Sequence, residues 1–369
     1  MLAALATTAR AMQATDRVVA WGDLNYDLSF AASSAGSAGV TQLAPGDFHS
    51  LIMKGDGSLL AWGDDRFNQT NIPDTLLTSP AAQITAGNIH NLALLRDGSV
   101  IAWGPAPGQP GDYGQCSVPA GLGAVRAIAA GAVHNLVLKS DGTVAAWGYN
   151  MSGQCSVPTG LSNVVAVAGG MYHSLALKAD GNVVAWGDNQ HGQTAVPEGL
   201  GNVAAIAAGG FHSLALRTDG TVISWGTYGL AQVDVPSGLT NVVAIATGDY
   251  HSLALKSDGS LVAWGLNSAG QCTIPAGLTN ITSIAARGGH SMVLIQQTPA
   301  APPELSIALA GANVVVSWPA SISGFVLQQA TELNPANWAP VPSSPLSLNS
   351  LNQVTLPAVD KMFFRLATP

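Results

Sequence analysis

A histidine followed by serine or asparagine recurs seven times in this chain, and it is the pair best suited to chemistry. An imidazole beside a hydroxyl could serve as general base and nucleophile in acyl transfer. A catalytic constellation is unique and asymmetric, however, whereas this pair is present in every copy of a repeat. We therefore interpret the histidines as structural, with buried rings that hydrogen-bond to the backbone. They are His49, His90, His134, His173, His212, His251 and His290.

Other signals of chemistry are weak. The sequence contains no HExxH, no GxSxG, no phosphate-binding glycine loop with lysine and no calcium loop. His191 is the one histidine outside the repeat, and we interpret it as a solvated loop residue. Cys116, Cys155 and Cys272 share one repeat position, which predicts small packed thiols rather than a disulfide or metal site. We expect no enzyme activity, catalytic residue, metal or cofactor.

Tryptophans set the period of the repeat. From His49 to His251, each repeat histidine is followed 13 residues later by a tryptophan, and the last three tryptophan-to-tryptophan steps are 39 residues each. A fixed period of this length indicates a propeller or a solenoid. We interpret the indoles as wedges between neighbouring sheets. They belong to Trp21, Trp62, Trp103, Trp147, Trp186, Trp225 and Trp264.

The incomplete repeats at the two ends complement each other. The repeat of His290 never reaches a tryptophan, and that of Trp21 lacks a histidine. Joined, they make a seventh unit, which predicts a closed seven-bladed β-propeller, because closure protects strand edges. Within residues 164–197, the segments VVAVAGG, HSLALK, VVAWG and TAVP predict four strands, with a DG turn between the second and third.

The composition, together with the spacing of turn and linker residues, predicts an all-β chain of two domains. The propeller spans 16–297, a Pro/Ala linker spans 298–304, and 305–369 predicts a fibronectin-like β-sandwich with Trp318 and Trp338 in its core. Residues 1–15 fit either a truncated signal peptide or a frayed end. Only 9% of residues are charged and the net charge is −8, without the basic stripe that nucleic acid requires. No apolar stretch is long enough to span a membrane.

Aromatic residues that vary between repeats indicate a binding surface. In antiparallel blades, the loop before each histidine and the loop after each Trp-Gly emerge on one face. Acids there, namely Asp47, Asp64, Asp65, Asp188 and Asp249, favour a basic partner protein. The alternative is that the aromatic rings pack onto their own blades or into the central channel. The aromatic candidates are Phe48, Tyr172, Phe211 and Tyr250 before a histidine, and Phe67, Tyr113, Tyr149 and Tyr228 after a Trp-Gly.

The motif AGxxHSLALKxDGxVxAWGxNxxGQ resembles the repeat of the regulator of chromosome condensation family, over residues 16 to about 297. The short period and the AWGxNxxGQxxVP motif are most similar to one branch of this family. That branch includes secreted bacterial β-lactamase inhibitors of propeller type and crinkly-type plant receptors. In those inhibitors, the aromatic residue before the histidine and residues after Trp-Gly contact the enzyme. The resemblance implies the same role for Phe48, Tyr172, Phe211 and Tyr250, and for the loops at Asp64, Tyr149, Asp188 and Tyr228. The chain departs from them at Ile89, Val133 and Gly289, and in its C-terminal piece. It lacks the basic tail of nuclear exchange factors.

These observations together predict a secreted or cell-surface bacterial protein that binds an unidentified partner protein as a monomer. An inhibitor of a secreted enzyme is one concrete version of this function. Two other classes stay open: a lyase or hydrolase at the channel mouth, and a structural spacer. Buried aromatic residues would favour the spacer, and a carboxylate cluster on the loop face would favour the enzyme.

Overall fold

The computed structural model describes residues 16–25, 39–227, 229, 231–296, 305–320, 326–332, 337–348, 350–358 and 362–367. Tyr228 and the segments 1–15 and 298–304 lie outside these residues. The chain divides into two compact units, Thr15–Gln296 and one that contains Gln297–Pro369. Each unit has its own hydrophobic core and is described by itself.

The first unit is built from repeated three-stranded antiparallel sheets, seven of them in the residues described. One short helix, α1 (Thr75–Thr78), lies between the first two complete sheets. In each complete sheet an inner strand leads to the histidine strand and then to the tryptophan strand. The strands are β1 (Arg17–Gly22), β2 (Val40–Pro45), β3 (His49–Lys54), β4 (Leu59–Gly63), β5 (Ala81–Ala86), β6 (Asn91–Leu95), β7 (Val100–Trp103), β8 (Val125–Ala130), β9 (His134–Lys139), β10 (Val144–Gly148), β11 (Val164–Gly169), β12 (His173–Lys178), β13 (Val183–Gly187), β14 (Val203–Ala208), β15 (Ser213–Arg217), β16 (Val222–Trp225), β17 (Val242–Thr247), β18 (His251–Lys256), β19 (Leu261–Gly265), β20 (Ile281–Arg287) and β21 (His290–Ile295).

The seventh sheet combines the two ends of this unit. Its strand order is β1-β21-β20, and β1 pairs antiparallel with β21 from Arg17↔Ile295 to Gly22↔His290. Strand β1 therefore supplies the tryptophan strand that the last repeat lacks. Strand β2 of the first complete sheet packs against both β20 and β21.

The predicted fourth strand is wrong. Residues 194–197, TAVP, form no strand, since their backbone is held in local turns. The Ala195 amide donates to the Gly192 carbonyl at 3.0 Å, and the Val196 amide donates to the Thr194 carbonyl at 3.0 Å. Pro197 has no amide proton to donate. The blade consequently has three strands followed by a compact loop.

The DG turns close each histidine–tryptophan hairpin by the same chemistry. Asp141 accepts hydrogen bonds from the Thr143 amide at 2.9 Å and from its hydroxyl at 2.6 Å. Gly142 takes a φ of +80°, which an L side chain rarely adopts. These turns lie at the end of the sheets opposite the loops that follow Trp-Gly.

Side chains of neighbouring sheets share each core cluster. In one of them, Leu175 and Leu177 of β12 pack with Val203 of β14, and Trp225 of β16 is buried in the same cluster. The histidine strands are buried on both faces because they lie in the middle of their sheets. Core burial is therefore distributed evenly along the array rather than gathered at one centre.

The second unit contains a four-stranded and a three-stranded antiparallel sheet. Val316, Trp318 and Val354 of the larger sheet share a buried core with Leu327 and Phe364 of the smaller one. The prediction that Trp338 belongs to this core is wrong: its half-buried ring carries the Arg365 guanidinium 4.5 Å above it. The strands are β22 (Ser306–Ala310), β23 (Asn313–Pro319), β24 (Val326–Ala330), β25 (Ala339–Pro340), β26 (Leu346–Leu348), β27 (Leu351–Pro357) and β28 (Phe363–Ala367).

Candidate binding surface

The repeat histidines join each sheet to the next through side chains. Nε2 of His173 lies 3.0 Å from Oγ of Ser213, and that hydroxyl donates to the Gln193 carbonyl at 2.9 Å. Because the hydroxyl's only proton goes to the carbonyl, Ser213 must accept from the Nε2–H of His173. The prediction of a bond to the backbone is thus wrong in its partner. Where the repeat has asparagine, Asn91 makes both bonds, to His49 at 2.7 Å and to the Gln69 carbonyl at 2.8 Å.

The same glutamine backbone carbonyls also accept hydrogen bonds from tryptophan indole N–H groups. Trp186 Nε1 donates to the Gln154 carbonyl at 2.9 Å, and that carbonyl also accepts from Ser174 at 2.8 Å. In five of the seven contacts between neighbouring sheets, a histidine, a serine or asparagine, a glutamine carbonyl and a tryptophan are combined in this way. At the His173–Ser213 contact, Nε1 of Trp225 has no hydrogen-bond partner among the described residues. We call this arrangement the sheet junction. It leaves the serine hydroxyls buried and engaged, so they are not available as nucleophiles.

Burial keeps the repeat histidines neutral. It lowers the pKa of His49, His90 and His290 to about 4 and that of His134, His173, His212 and His251 to about 3. A general base that operates near neutral pH needs a pKa close to that pH. The histidine–serine pairs therefore support structure rather than acyl transfer.

A glycine three residues before the histidine makes room for the ring. A Cβ at Gly170 would collide with the His173 ring and lie 2.6 Å from the Gly209 carbonyl oxygen. Six repeats place glycine at this position, and the seventh places Arg287 there. This break in the pattern is visible in the sequence, and sequence reasoning missed it.

Arg287 is buried and binds three other repeats. Its Nε donates to Asp47 Oδ1 at 3.1 Å, Nη2 donates to Asn88 Oδ1 at 3.2 Å, and Nη1 donates to the Gly169 carbonyl at 3.4 Å. Together with the inner strands of all seven sheets, it lines a central channel of about 490 Å³. The arginine thus lies across one end of the channel. Because the other six repeats have glycine at this position, the channel is asymmetric there.

Aromatic rings from neighbouring repeats contact one another at the loop end of the sheets. Ring centroids of Tyr113 and Tyr149 are 5.1 Å apart, and those of Tyr149 and Tyr172 are 5.9 Å apart. Phe211 stacks on Tyr250 at 5.7 Å. The structure thus brings together residues that follow a Trp-Gly and residues that precede a histidine. We call these five rings and His191 the aromatic arc.

His191 lies at the cleft between the two halves of the aromatic arc. It is half-buried rather than fully solvated, and its ring meets Phe211 edge-on at 5.0 Å. A cleft of about 220 Å³ between Tyr172 and Phe211 is lined by His191 and by the half-buried Asp188. The cleft joins apolar rings to hydrogen-bonding groups, as is typical of protein-binding surfaces.

Two predicted aromatic residues lie apart from the aromatic arc. Phe67 is half-buried, and its ring lies close to Gly111 of the long loop that follows Trp103. Phe48 is half-buried and lines a second cavity together with Tyr250. The third, Tyr228, lies outside the described residues.

The predicted acids differ in exposure. Asp65 is exposed and Asp188 is half-buried, whereas the Asp64 carboxylate is buried and pairs with Arg66 at 2.9 Å. The carboxylates of Asp47 and Asp249 are also buried. These three carboxylates bind within the molecule or line a cavity, whereas Asp65 and Asp188 are the predicted acids that reach solvent at the loop end.

The cysteines are free thiols and half-buried rather than fully buried. Burial raises the pKa of Cys116 and Cys155 to about 12 and that of Cys272 to about 11, so the thiolate form is scarce. Among the described residues, no group of three histidine, cysteine or acidic side chains is placed to hold a metal. The same part of the chain contains no helix of the length and apolarity that crossing a membrane demands.

Comparison with known proteins identifies the repeats. Five segments match the family model described as regulator of chromosome condensation repeat, at residues 40–69, 125–154, 164–193, 203–227 and 242–271. No curated protein sequence matches the chain.

Solved structures show a similar fold. Prp20p from Saccharomyces cerevisiae has a TM-score of 0.66 at 19% identity, covering 79% of this chain and 94% of its own. Human WBSCR16 has a TM-score of 0.58 at 22% identity, with 70% and 87% covered. The CR4 receptor kinase ectodomain of Physcomitrella patens has a TM-score of 0.56 at 21% identity, with 73% and 75% covered. At these identities the likeness is one of fold alone.

Proposed function

Since this chain contains regulator of chromosome condensation repeats between residues 40 and 271, we propose that it is a non-enzymatic propeller that binds a partner protein through the aromatic arc. Propellers of this family commonly mediate protein interactions. Yeast Prp20p, which is similar in fold, is described with binding to Gsp1p and histones. That likeness favours a protein partner as a class and does not identify it.

The architecture proposed for this function is a closed seven-bladed ring. Two observations support it: β1 completes the sheet of β20 and β21, and Nε2 of His290 lies 3.3 Å from Oγ of Ser50 in the first complete sheet. The latter contact repeats the histidine–serine bond of the other sheet junctions. For the second unit, two sheets that share one core support the proposed fibronectin-like β-sandwich.

The observation that carries the proposed function is the aromatic arc itself. Its rings come from neighbouring repeats, contact one another and remain partly exposed, with Tyr113 51% exposed. Aromatic side chains lose little entropy on binding and dominate interface hot spots. Partial exposure counts against a spacer, in which the rings would be buried. The sheet junctions need none of these rings, so stability does not account for them.

Charge favours a basic partner. Asp65 and Asp188 lie at the loop end of the sheets, whereas Lys178 and Lys256 pair with turn aspartates at the opposite end, at 2.9 and 3.3 Å. A partner that approaches the aromatic arc therefore meets more negative than positive charge, and this speeds encounter with a basic surface. A secreted or cell-surface bacterial protein, with inhibition of a secreted enzyme as one version, remains part of the proposal.

The rival enzyme function depends on carboxylates at the channel mouth. Asp47 and Asp249 are such residues, but Asp47 is held by Arg287 at 3.1 Å. The repeat serines and histidines are engaged in the sheet junctions and supply no nucleophile. We therefore assign the carboxylates to binding rather than to catalysis.

The test compares two double variants in capture from secreted and periplasmic proteins. Tyr172→Ala with Phe211→Ala removes the rings on both sides of the cleft, and loss of two hot-spot residues weakens binding by about 2 kcal/mol each. Val165→Ala with Val243→Ala trims exposed apolar side chains near the turn end and is the control. We expect one captured protein to be lost with the first variant only, while circular dichroism shows both folded.

Equal capture by both variants would overturn the aromatic arc as the binding surface. If neither double variant loses a captured protein, the next measurement is a substrate screen of the intact protein, because the enzyme function is then favoured.

A further inference from the structure

A second cavity, of about 290 Å³, lies where the aromatic arc ends at Tyr250. It is lined by residues that include the acids Asp23, Asp47 and Asp249 and the aromatic residues Phe48 and Tyr250. These residues come from three places: the end of β1, the β2–β3 connection and the β17–β18 connection. We call this cavity the acidic pocket. At about 30 Å³ per water molecule, it has room for roughly nine waters, or for the end of a long side chain.

The acidic pocket has more negative than positive charge. Arg287 pairs with Asp47, while neither Asp23 nor Asp249 makes an ion pair within 4 Å in the part of the chain that the structure describes. One guanidinium therefore balances one of three carboxylates. Arg287 also points away from the pocket, toward Asn88 and the Gly169 carbonyl in the channel.

Asp249 is a buried acid that has no ion-pair partner within 4 Å among the described residues. It is only 9% exposed, and its carboxylate lines the cavity. Burial first, and the nearby charge of Asp47 second, raise its pKa to about 7, against the weaker stabilisation from Arg287 and the Gly288 amide. A buried carboxylate without a paired cation is costly. A positive group placed in the pocket would offset that cost.

The aromatic walls define which cation fits. Phe48 and Tyr250 flank the carboxylates, and aromatic faces attract ammonium and guanidinium groups within about 6 Å of the ring centre. Calcium and magnesium prefer shells of oxygen ligands and gain nothing from a benzene ring. Carboxylates beside rings therefore match an organic cation on an apolar stem.

We propose that the acidic pocket binds the cationic end of a lysine or arginine side chain presented by the partner. This inference rests on the proposed function for the source of that side chain, but the pocket can be tested without the partner. The aromatic arc would then supply apolar contact area, and the acidic pocket would select a partner with a basic residue in register with it.

The probes are N-acetyl-arginine methylamide and N-acetyl-lysine methylamide, titrated into the whole protein at pH 8 and low salt and followed by NMR. At that pH Asp249 is ionised, and low salt limits screening. The neutral isostere N-acetyl-citrulline methylamide is the ligand control. We expect at least one cationic probe to bind, with the citrulline probe at least about tenfold weaker. The tighter of the two cations identifies the side chain.

Two charge-matched variants locate the probe. Asp249→Asn keeps the shape of the side chain and removes a buried charge, so it should fold with an unchanged or higher melting temperature and bind about tenfold more weakly. Asp65→Asn changes the net charge equally at an exposed position and should bind as the parent does. The proposal would be overturned by any of three results. The cationic probe binds Asp249→Asn as tightly as the parent protein, the citrulline probe binds as tightly as the cationic probes, or neither cationic probe binds.

The same titration separates this inference from the proposed function. The Tyr172→Ala, Phe211→Ala protein retains all five residues that define the acidic pocket and should bind the probe normally. If the probes fail while that variant loses the partner, the pocket alone is refuted. If the probes bind as expected while that variant keeps the partner, the aromatic arc is refuted and the pocket stands.

Discussion

The sheet junctions and the loop face of the propeller follow opposite rules. At the junctions, histidine, serine or asparagine, glutamine and tryptophan recur at fixed positions and are almost all fully buried. On the loop face, the residue before the histidine changes from repeat to repeat: Phe48, Ile89, Val133, Tyr172, Phe211, Tyr250 and Gly289. A residue required at every junction is required by the fold. A residue free to vary on a shared scaffold is available for recognition.

Acid should break the junctions and give the largest effect. An unfolded histidine has a pKa near 6.5, while the seven folded ones lie near 3 to 4, so below pH 6.5 the unfolded chain binds more protons. Histidine-linked stability is therefore complete above that pH and is lost as the pH falls. With seven sites, the free energy of unfolding should drop by up to roughly 9 kcal/mol per pH unit. Asp249 and Asp47, whose pKa values burial raises in the folded state, oppose this loss by at most one proton each.

The measurement is tryptophan fluorescence and circular dichroism from pH 7.5 to 3.5. We expect cooperative unfolding between pH 6 and pH 4. Among the described residues, the loop face has no set of titrating groups of comparable number in this pH range. An unchanged melting temperature at pH 4.5 would contradict the neutral, buried state of the histidines.

Trp186→Ala should break one junction. The indole is 7% exposed, packs with Leu136 and Leu138, and donates to the Gln154 carbonyl. Its removal leaves a cavity and takes away one of the two donors to that carbonyl, for which we expect a loss of about 3–5 kcal/mol in urea unfolding. Trp186→Phe, which keeps most of the volume, is the control and should lose less. A loss below about 1 kcal/mol for alanine would refute the wedge role.

Tyr113→Ala should have the smallest effect on stability. The ring is 51% exposed and meets Tyr149 edge-on at 5.1 Å. An aromatic pair of this kind contributes about 0.5–1.5 kcal/mol, so we expect a loss of about 1 kcal/mol in the same urea experiment. A loss comparable to that of Trp186→Ala would erase the distinction between the two regions.

Much of the fold could be predicted because its signals are local and repeated. The tryptophan period, the DG turns and the two-residue alternation each lie within one repeat, so seven copies reinforce one interpretation. The fourth strand was wrong because Pro197 and the turn around Gly192 decide that segment, not its apolar character. The histidine partner was wrong because Ser213 lies one repeat away from His173 and is adjacent only after the sheets pack.

The candidate site was only partly predictable, for a related reason. The positions of Tyr149 and Tyr172 follow from strand direction, and the structure brings their rings together. The acidic pocket joins Asp23, Asp47 and Asp249. Asp47 and Asp249 share one repeat position, two residues before the histidine, but they lie in repeats that are distant in sequence, and Asp23 follows a Trp-Gly instead. Arg287 did leave a signal, as the one arginine among glycines.

The pairing of β1 with β21 also fixes an order of events in biosynthesis. Six sheets are consecutive strands that can pair soon after they are made, whereas Arg17 must wait for Ile295. Contacts across such a sequence separation form slowly, and the waiting strand edge is open to wrong partners. Among the strands of this unit, β1 is made before the others and is placed last, because the seventh sheet can be completed only after β21 has been made.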